Sequence, residues 1–201
     1  MLSFIGLGLY DERSITLRGR DALGSADAAF AEWYTSRLSG TNIERLEALH
    51  GIEIEVRDRA GVEQYPGSIF DAAADGHAAF LAAGDTMIST THVDLRLRAH
   101  DRGIDTRVIH GTTAQTAASS LTGLQNYRFG KATTLPFPET HGGVPGSVIE
   151  TIESNRESDL HTLVYLDIDG ENERFLTGDR AADLLGDPLG DPLGVVVAQA
   201  G

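Results

Sequence analysis

The stretch MLSFIGLGLYDERS, Met1 to Ser14, decides how the chain is read. Leu2 to Ile5 is a short apolar strand running into Gly6-Leu7-Gly8, as a first strand runs into the phosphate-cradling turn of a dinucleotide fold, where glycines let backbone approach a pyrophosphate. The third glycine of that pattern is missing. Asp11 stands in its place with Glu12 behind it, so a carboxylate occupies ground that a doubly charged pyrophosphate would need. The stretch therefore announces the edge of an α/β sheet and a ligand other than a dinucleotide.

Working outward, apolar runs alternate with helical patterns, which predicts an α/β fold with a largely parallel sheet. A helix is expected from Ser14 towards Ala26, and a strand at Ala28–Ala31. Thr41-Asn42-Ile43-Glu44 reads as a capping box opening a helix to about Leu49. Ile52, Ile54 and Val56 mark a half-exposed strand, Ile69–Ala74 a helix, and His77–Ala83 a strand delivering Gly84-Asp85-Thr86. Thr90–Arg102 is amphipathic and is stopped by Gly103; Thr106–Ile109 is the next strand. A first domain is expected over residues 1–111.

The second, 112–201, is expected to begin with a small-residue helix at Ala114–Ser120. A strand follows at Ala132–Leu135, then a Pro- and Gly-rich loop from Pro136 to Gly146 and a helix from Ser147 to Asn155. Leu163–Ile168 reads as one buried strand, Asp179–Leu185 as a helix, and the tandem Gly186-Asp187-Pro188-Leu189 and Gly190-Asp191-Pro192-Leu193 as a turn-rich loop. Val195 to Gly201 is read as a last strand, with the second domain incomplete at its C-terminus.

Composition narrows the partners. The net charge is −14, and Lys131 is the only lysine. A field of that sign repels phosphate backbones, so nucleic-acid binding is not expected. Acid excess with little lysine also suits a protein kept hydrated in molar salt. The chain has no cysteine, which excludes disulfides and thiolate chemistry. No apolar run reaches the length of a membrane span, and a cytoplasmic location is the expectation.

Three strand ends carry glycines or acids: Gly6-Leu7-Gly8-Leu9, Gly84-Asp85-Thr86-Met87-Ile88 and His110-Gly111-Thr112-Thr113-Ala114. In an open parallel sheet such loops gather along the carboxyl edge, where ligands bind. Asp11 and Asp85 there suit a cation, a sugar hydroxyl or an amino group. S-adenosylmethionine offers all three and no phosphate, and its neutral leaving group asks the protein mainly for alignment and exclusion of water. The seven histidines, at 50, 77, 92, 100, 110, 141 and 161, are too scattered to suggest a metal site. Tyr127-Arg128-Phe129-Gly130-Lys131 is the most basic aromatic patch in the chain.

The blocks FIGLGLYDERSIT, GDTMISTTHVDLRLRA, HGTTAQTAASSLTGLQNYRFGKATTLPFP and HTLVYLDI resemble the diphthine synthase family, of the tetrapyrrole-methylase-like class of methyltransferases, along essentially the whole chain. The acidic, lysine-poor composition resembles a haloarchaeal member. The resemblance implies a two-domain tetrapyrrole-methylase-like fold with S-adenosylmethionine in the cleft between the domains, and a homodimer. It implies methylation of the amino group of a 3-amino-3-carboxypropyl-histidine on translation elongation factor 2, giving diphthine. By motif, the cofactor contacts are Leu9, Asp85, Ile88, Thr113, Ala114, Leu166 and Ala198. Thr113 and Ala114 replace a pair that is often Ser-Ile in relatives; the hydroxyl is kept and the second side chain is smaller. Relatives continue past Ala200-Gly201 with a stretch that supplies a cofactor-contacting histidine, so weak cofactor binding is expected. The resemblance assigns no catalytic base; Asp11 is read as stabilising its turn or orienting the cofactor. The rival readings are a tetrapyrrole methylase proper, whose polycarboxylate substrate would want a more basic cleft, and an inactive module that only binds the elongation factor.

Overall fold

The computed structural model describes residues 1–170 and 172–200. The chain separates into two compact units, residues 1–114 with 199–201, and 115–198.

The first unit is built on five parallel strands, β1 (Leu2–Gly6), β2 (Ala28–Glu32), β3 (Ile54–Arg57), β4 (Ala78–Ala82) and β5 (Thr106–Ile109), in the order β3-β2-β4-β1-β5. The central strands read as near-continuous apolar runs because both faces are covered. Leu2, Phe4, Phe30 and Phe80 face one side, where they pack with Phe70, Leu95 and Ala99. Ile5, Ala29, Ala31, Ala79 and Leu81 face the other, with Leu23 and Leu46. The helices of this unit are α1 (Leu17–Gly24), α2 (Ile43–His50), α3 (Arg59–Glu63), α4 (Gly67–Asp75) and α5 (His92–Asp101). In α5, His92, Leu95 and Ala99 recur at helical spacing and are the buried face. The connection leaving β1 contributes Leu23 of α1 to one face, whereas that leaving β4 contributes Leu95 of α5 to the other. Neighbouring strands whose connections depart to opposite faces open a crevice at their carboxyl ends.

Two expectations in this unit are corrected. The first helix starts at Leu17 because the Thr16 hydroxyl accepts from the Gly19 amide; Ser14 is held in the preceding loop, where its hydroxyl donates to the Leu9 carbonyl. The second helix is capped by Asn42, whose side chain accepts from the Arg45 amide at 3.0 Å. A capping box on Thr41 would start that helix one residue early.

The second unit contains α6, which begins at the unit boundary (Ala114–Thr122), a 3-10 turn at Asn126–Arg128, and β6 (Thr133–Leu135) paired in parallel with β7 (Val164–Leu166). It also holds α7 (Pro138–His141), α8 (Gly146–Glu157), the antiparallel pair β8 (Ile168–Asp169) and β9 (Arg174–Phe175), and α9 (Gly178–Leu189). Its core gathers Leu135, Phe137, Val148, Ile152, Leu176, Ala181 and Leu189. The expected buried strand Leu163–Ile168 is half-buried and breaks at Asp167. That residue's N–H donates to the Leu135 carbonyl, its own carbonyl accepts from Leu176, and its carboxylate accepts from Phe137 and Ile168, so it hands the chain from one partner to the next. The first Gly-Asp-Pro-Leu is the end of α9 and not a loop, because Leu189 is buried in the core; Gly190 then closes the helix in the left-handed conformation at φ 70°. The expected last strand is absent among the described residues. Residues 192–198 pair with no neighbour, and Val195 and Val196 are exposed, so the apolar run finds no hydrogen-bonded ladder to join. Gly201 lies outside the described residues.

Candidate functional site

The carboxyl ends of β4, β1 and β5 are adjacent, and the three glycine loops meet there. Gly8 donates to the Gly84 carbonyl at 3.1 Å and Gly84 donates back to the Gly8 carbonyl at 2.7 Å, so the loops after β1 and β4 are laced by their own backbone. A Cβ on Gly6 would lie 2.5 Å from the Gly84 carbonyl oxygen and 2.6 Å from the Gly111 nitrogen; one on Gly111 would lie 2.2 Å from that same oxygen. Glycine is therefore required at 6 and 111 by close approach of three backbones.

The lacing answers the question raised by the missing third glycine. A phosphate cradle presents free amides. Here the amides of Leu7, Gly8, Gly84 and Gly111 are all engaged within the protein. At the start of the first helix the Gly19 amide is likewise engaged, by the Thr16 hydroxyl at 3.1 Å.

Asp85 is the polar centre of the edge. Its side chain is 3% exposed; one oxygen accepts from the Met87 amide at 2.8 Å, and the other accepts from the Gly111 amide at 3.2 Å and from His110 Nδ1 at 2.8 Å. It ties the loop after β4 to the loop after β5. No arginine or lysine pairs with it among the described residues, so the edge keeps a negative potential suited to a cationic ligand. Asp11 does something else. Its carboxylate accepts from the Arg13 amide at 2.9 Å and from the Ser14 hydroxyl at 3.4 Å, which closes the turn that carries it.

Of the residues singled out by motif, Leu9, Asp85, Ile88 and Thr113 lie on these loops, and Ala114 begins α6. Leu9 and Thr113 are half-buried and Ile88 is exposed, so apolar surface stands beside the buried acid. Leu166 and Ala198 belong to the second unit, Leu166 at the end of β7 and Ala198 in the irregular segment after α9. In that unit Arg128 of the basic patch is paired with Asp159, and Phe129 stacks edge-on with His161. A concavity of about 400 Å³ lined by Tyr65, Phe70, Arg98, Arg102 and Ile104 lies where α5 ends and β5 begins. It contains none of the candidate residues.

The structure adds a buried polar cluster that sequence reasoning missed. Glu32 ends β2 with its side chain fully buried, accepting from the amides of Tyr34 and Thr35 and from the Thr35 hydroxyl. His92, fully buried at the start of α5, lies 3.8 Å from Glu32 and contacts the Thr86 carbonyl through Nδ1 at 3.1 Å. Desolvation holds the His92 ring below the usual histidine range, with the nearby Glu32 charge opposing that shift. Burial beside Glu32 likewise pushes the Tyr34 phenol up. The cluster fixes the far end of the loop that begins at Asp85. Its sequence signal is an acid directly after the apolar run Ala28–Ala31, at the same strand end as the glycine loops.

Comparison with known proteins places the geometry among relatives. Residues 1–185 match the family model described as Tetrapyrrole (Corrin/Porphyrin) Methylases. The chain is 69% identical to a diphthine synthase of Halorubrum lacusprofundi and 67% identical to one of Halobacterium salinarum, in each case over all of this chain and 80% of the relative's length. A crystal structure of diphthine synthase superposes with a TM-score of 0.85 at 34% identity, covering 94% of this chain and 72% of the other. No helix among the described residues is long and apolar enough to cross a membrane.

Proposed function

The chain belongs to the diphthine synthase family of tetrapyrrole methylases, which makes it a methyltransferase, and we propose that it methylates the amino group of the 3-amino-3-carboxypropyl-histidine of translation elongation factor 2 with S-adenosylmethionine as donor. The observation that carries the choice of donor is the lacing of the glycine loops. With the amides of Leu7, Gly8, Gly84 and Gly111 engaged and Asp85 buried behind them, the loops fit a cationic, phosphate-free ligand. The donor supplies a methyl group made electrophilic by a sulfonium.

The residues proposed to hold it are Leu9, Asp85, Ile88, Thr113 and Ala114 from the first unit and Leu166 and Ala198 from the second. Asp85 acts through its field, since three protein donors already occupy its carboxylate. Ile88 and Leu9 offer apolar surface that displaces water. The backbone at Gly84 leaves room for close approach, as a Cβ there would meet nothing nearer than 3.9 Å. The chemical task is alignment of the attacking nitrogen with the methyl carbon in a dry site, which is worth several orders of magnitude in rate.

A porphyrin-type substrate is not favoured, because its many carboxylates would meet the negative edge. The enzyme is further proposed to work as a homodimer in the cytoplasm without nucleic acid. The test is transfer of labelled methyl from S-adenosylmethionine to elongation factor 2, with and without the aminocarboxypropyl group on its histidine. Label on the modified protein alone supports the reading. Binding of the modified protein without label makes the chain a binding module.

A further inference from the structure

The geometry points to His110 as the general base that takes the proton from the substrate amine, an assignment that rests on the methyltransferase reading above. Every N-methylation of an alkylamine must shed a proton, because at neutral pH the amine is mostly the ammonium ion, which has no lone pair to attack with. In balance, R–NH₃⁺ gives its proton to imidazole Nε2 and becomes R–NH₂. The nitrogen lone pair then forms the N–CH₃ bond while the S–CH₃ bond breaks with its electron pair going to sulfur. The product is R–NH₂CH₃⁺, and imidazolium passes its proton to water before the next round.

Three features single out His110. It stands at the end of β5, on the same edge as the laced glycine loops. Its Nδ1 lies 2.8 Å from an Asp85 carboxylate oxygen, and since a carboxylate only accepts, Nδ1 carries the hydrogen. That fixes the tautomer and leaves the Nε2 lone pair as the acceptor, the arrangement by which a carboxylate orients a histidine base. The side chain is 77% exposed, and Nε2 has no partner among the described residues.

The other histidines of the first unit are spent or misplaced. His92 is fully buried, and His77 uses Nε2 on Ser3 and Nδ1 on the Ser25 carbonyl at the opposite strand end. His100 is at the far end of α5, and His50 closes α2 with both ring nitrogens buried. The carboxylates of the edge serve less well. Asp85 already accepts three hydrogen bonds and Asp11 closes its own turn. Glu12 is held below the usual carboxylate range, first by the Thr41 hydroxyl, which weakens it as a base.

The experiment is steady-state methylation of modified elongation factor 2 by His110→Asn and His110→Ala, with calorimetry of S-adenosylmethionine on each. Asparagine keeps a side-chain N–H for Asp85 and removes the base. The expected result is a kcat lower by about a hundredfold or more, cofactor affinity within twofold of the parent, and recovery of His110→Ala by added imidazole. Retention of kcat within threefold by His110→Asn overturns the assignment while leaving the methyltransferase reading intact. So does a joint loss of kcat and cofactor affinity that imidazole does not repair, which would make His110 a prop for Asp85. No methylation by the parent chain overturns the reading and the assignment together.

Discussion

At the residue scale, Asp11 and Asp85 separate cleanly. Asp85 is buried and joins two loops, whereas Asp11 is occupied with the turn between Leu9 and Ser14. Replacing Asp85 by alanine removes the buried charge and leaves the Gly111 and Met87 amides without their acceptor, at a cost of about 1–3 kcal/mol in stability. The same replacement at Asp11 breaks a half-exposed turn and costs less. Titration of S-adenosylmethionine into both variants should show the larger loss of affinity for Asp85→Ala, and the reverse order would mean that the acids are wrongly assigned. The importance of Asp85 was legible from its place after an apolar strand. Its partnership with His110 was not, because residues 25 apart in sequence meet only once β4 and β5 flank β1.

At the element scale, the seam between three strand ends is set by backbone contact. Gly111→Ala would press a methyl against the carbonyl oxygen of Gly84, a backbone atom that no side-chain rotation can move aside. The expected cost is about 1–3 kcal/mol, read as a lower urea midpoint together with loss of cofactor binding. Thr112→Ala, one residue on and exposed, should be nearly neutral.

The cluster of Glu32 and His92, which joins β2 to the start of α5, gives a pH dependence of definite sign. Desolvation lowers the proton affinity of His92 in the fold, with Glu32 opposing in part, and the half-buried ring of His50 shifts the same way for the same first cause. The unfolded chain therefore takes up these protons first as pH falls. Stability present above the ordinary histidine range is lost as pH drops through it towards the lowered folded values. Urea unfolding at pH 7.5 and pH 5.5 should show a lower midpoint in acid, and His92→Gln should flatten the difference.

Element boundaries show why the sequence was informative in some places and silent in others. Central strands were legible because a strand buried on both faces must be apolar throughout. The helix starts at Leu17 and Ile43 were misplaced by one to three residues, since several neighbouring hydroxyls and amides compete for each cap and only the folded loop selects among them. Val195–Val197 has the composition of a strand and, among the described residues, no neighbour to pair with. Composition records a propensity, and a sheet requires a partner.

At the scale of the whole molecule, a net charge of −14 carried with a single lysine is self-repelling in dilute buffer. Molar salt shortens the screening length to about 3 Å and removes most of that repulsion. Thermal unfolding followed against potassium chloride should show a midpoint that rises steeply with salt. Equal stability in dilute buffer and in molar salt would remove the halophilic explanation of the composition. The α/β class and the glycine-bearing edge were readable from the sequence at this scale as well. What the sequence withheld was the state of the glycine amides, because backbone satisfaction depends on which loops meet.

The choice of a phosphate-free donor rests on that state. Calorimetric titration of the chain with S-adenosylmethionine, and separately with ATP and NAD, tests it most directly. Binding heat with S-adenosylmethionine and none with the phosphate-bearing ligands is the predicted result. Binding of ATP or NAD at comparable affinity would contradict it, since the glycine amides that a phosphate cradle uses are already engaged at Gly8, Gly84 and Gly111.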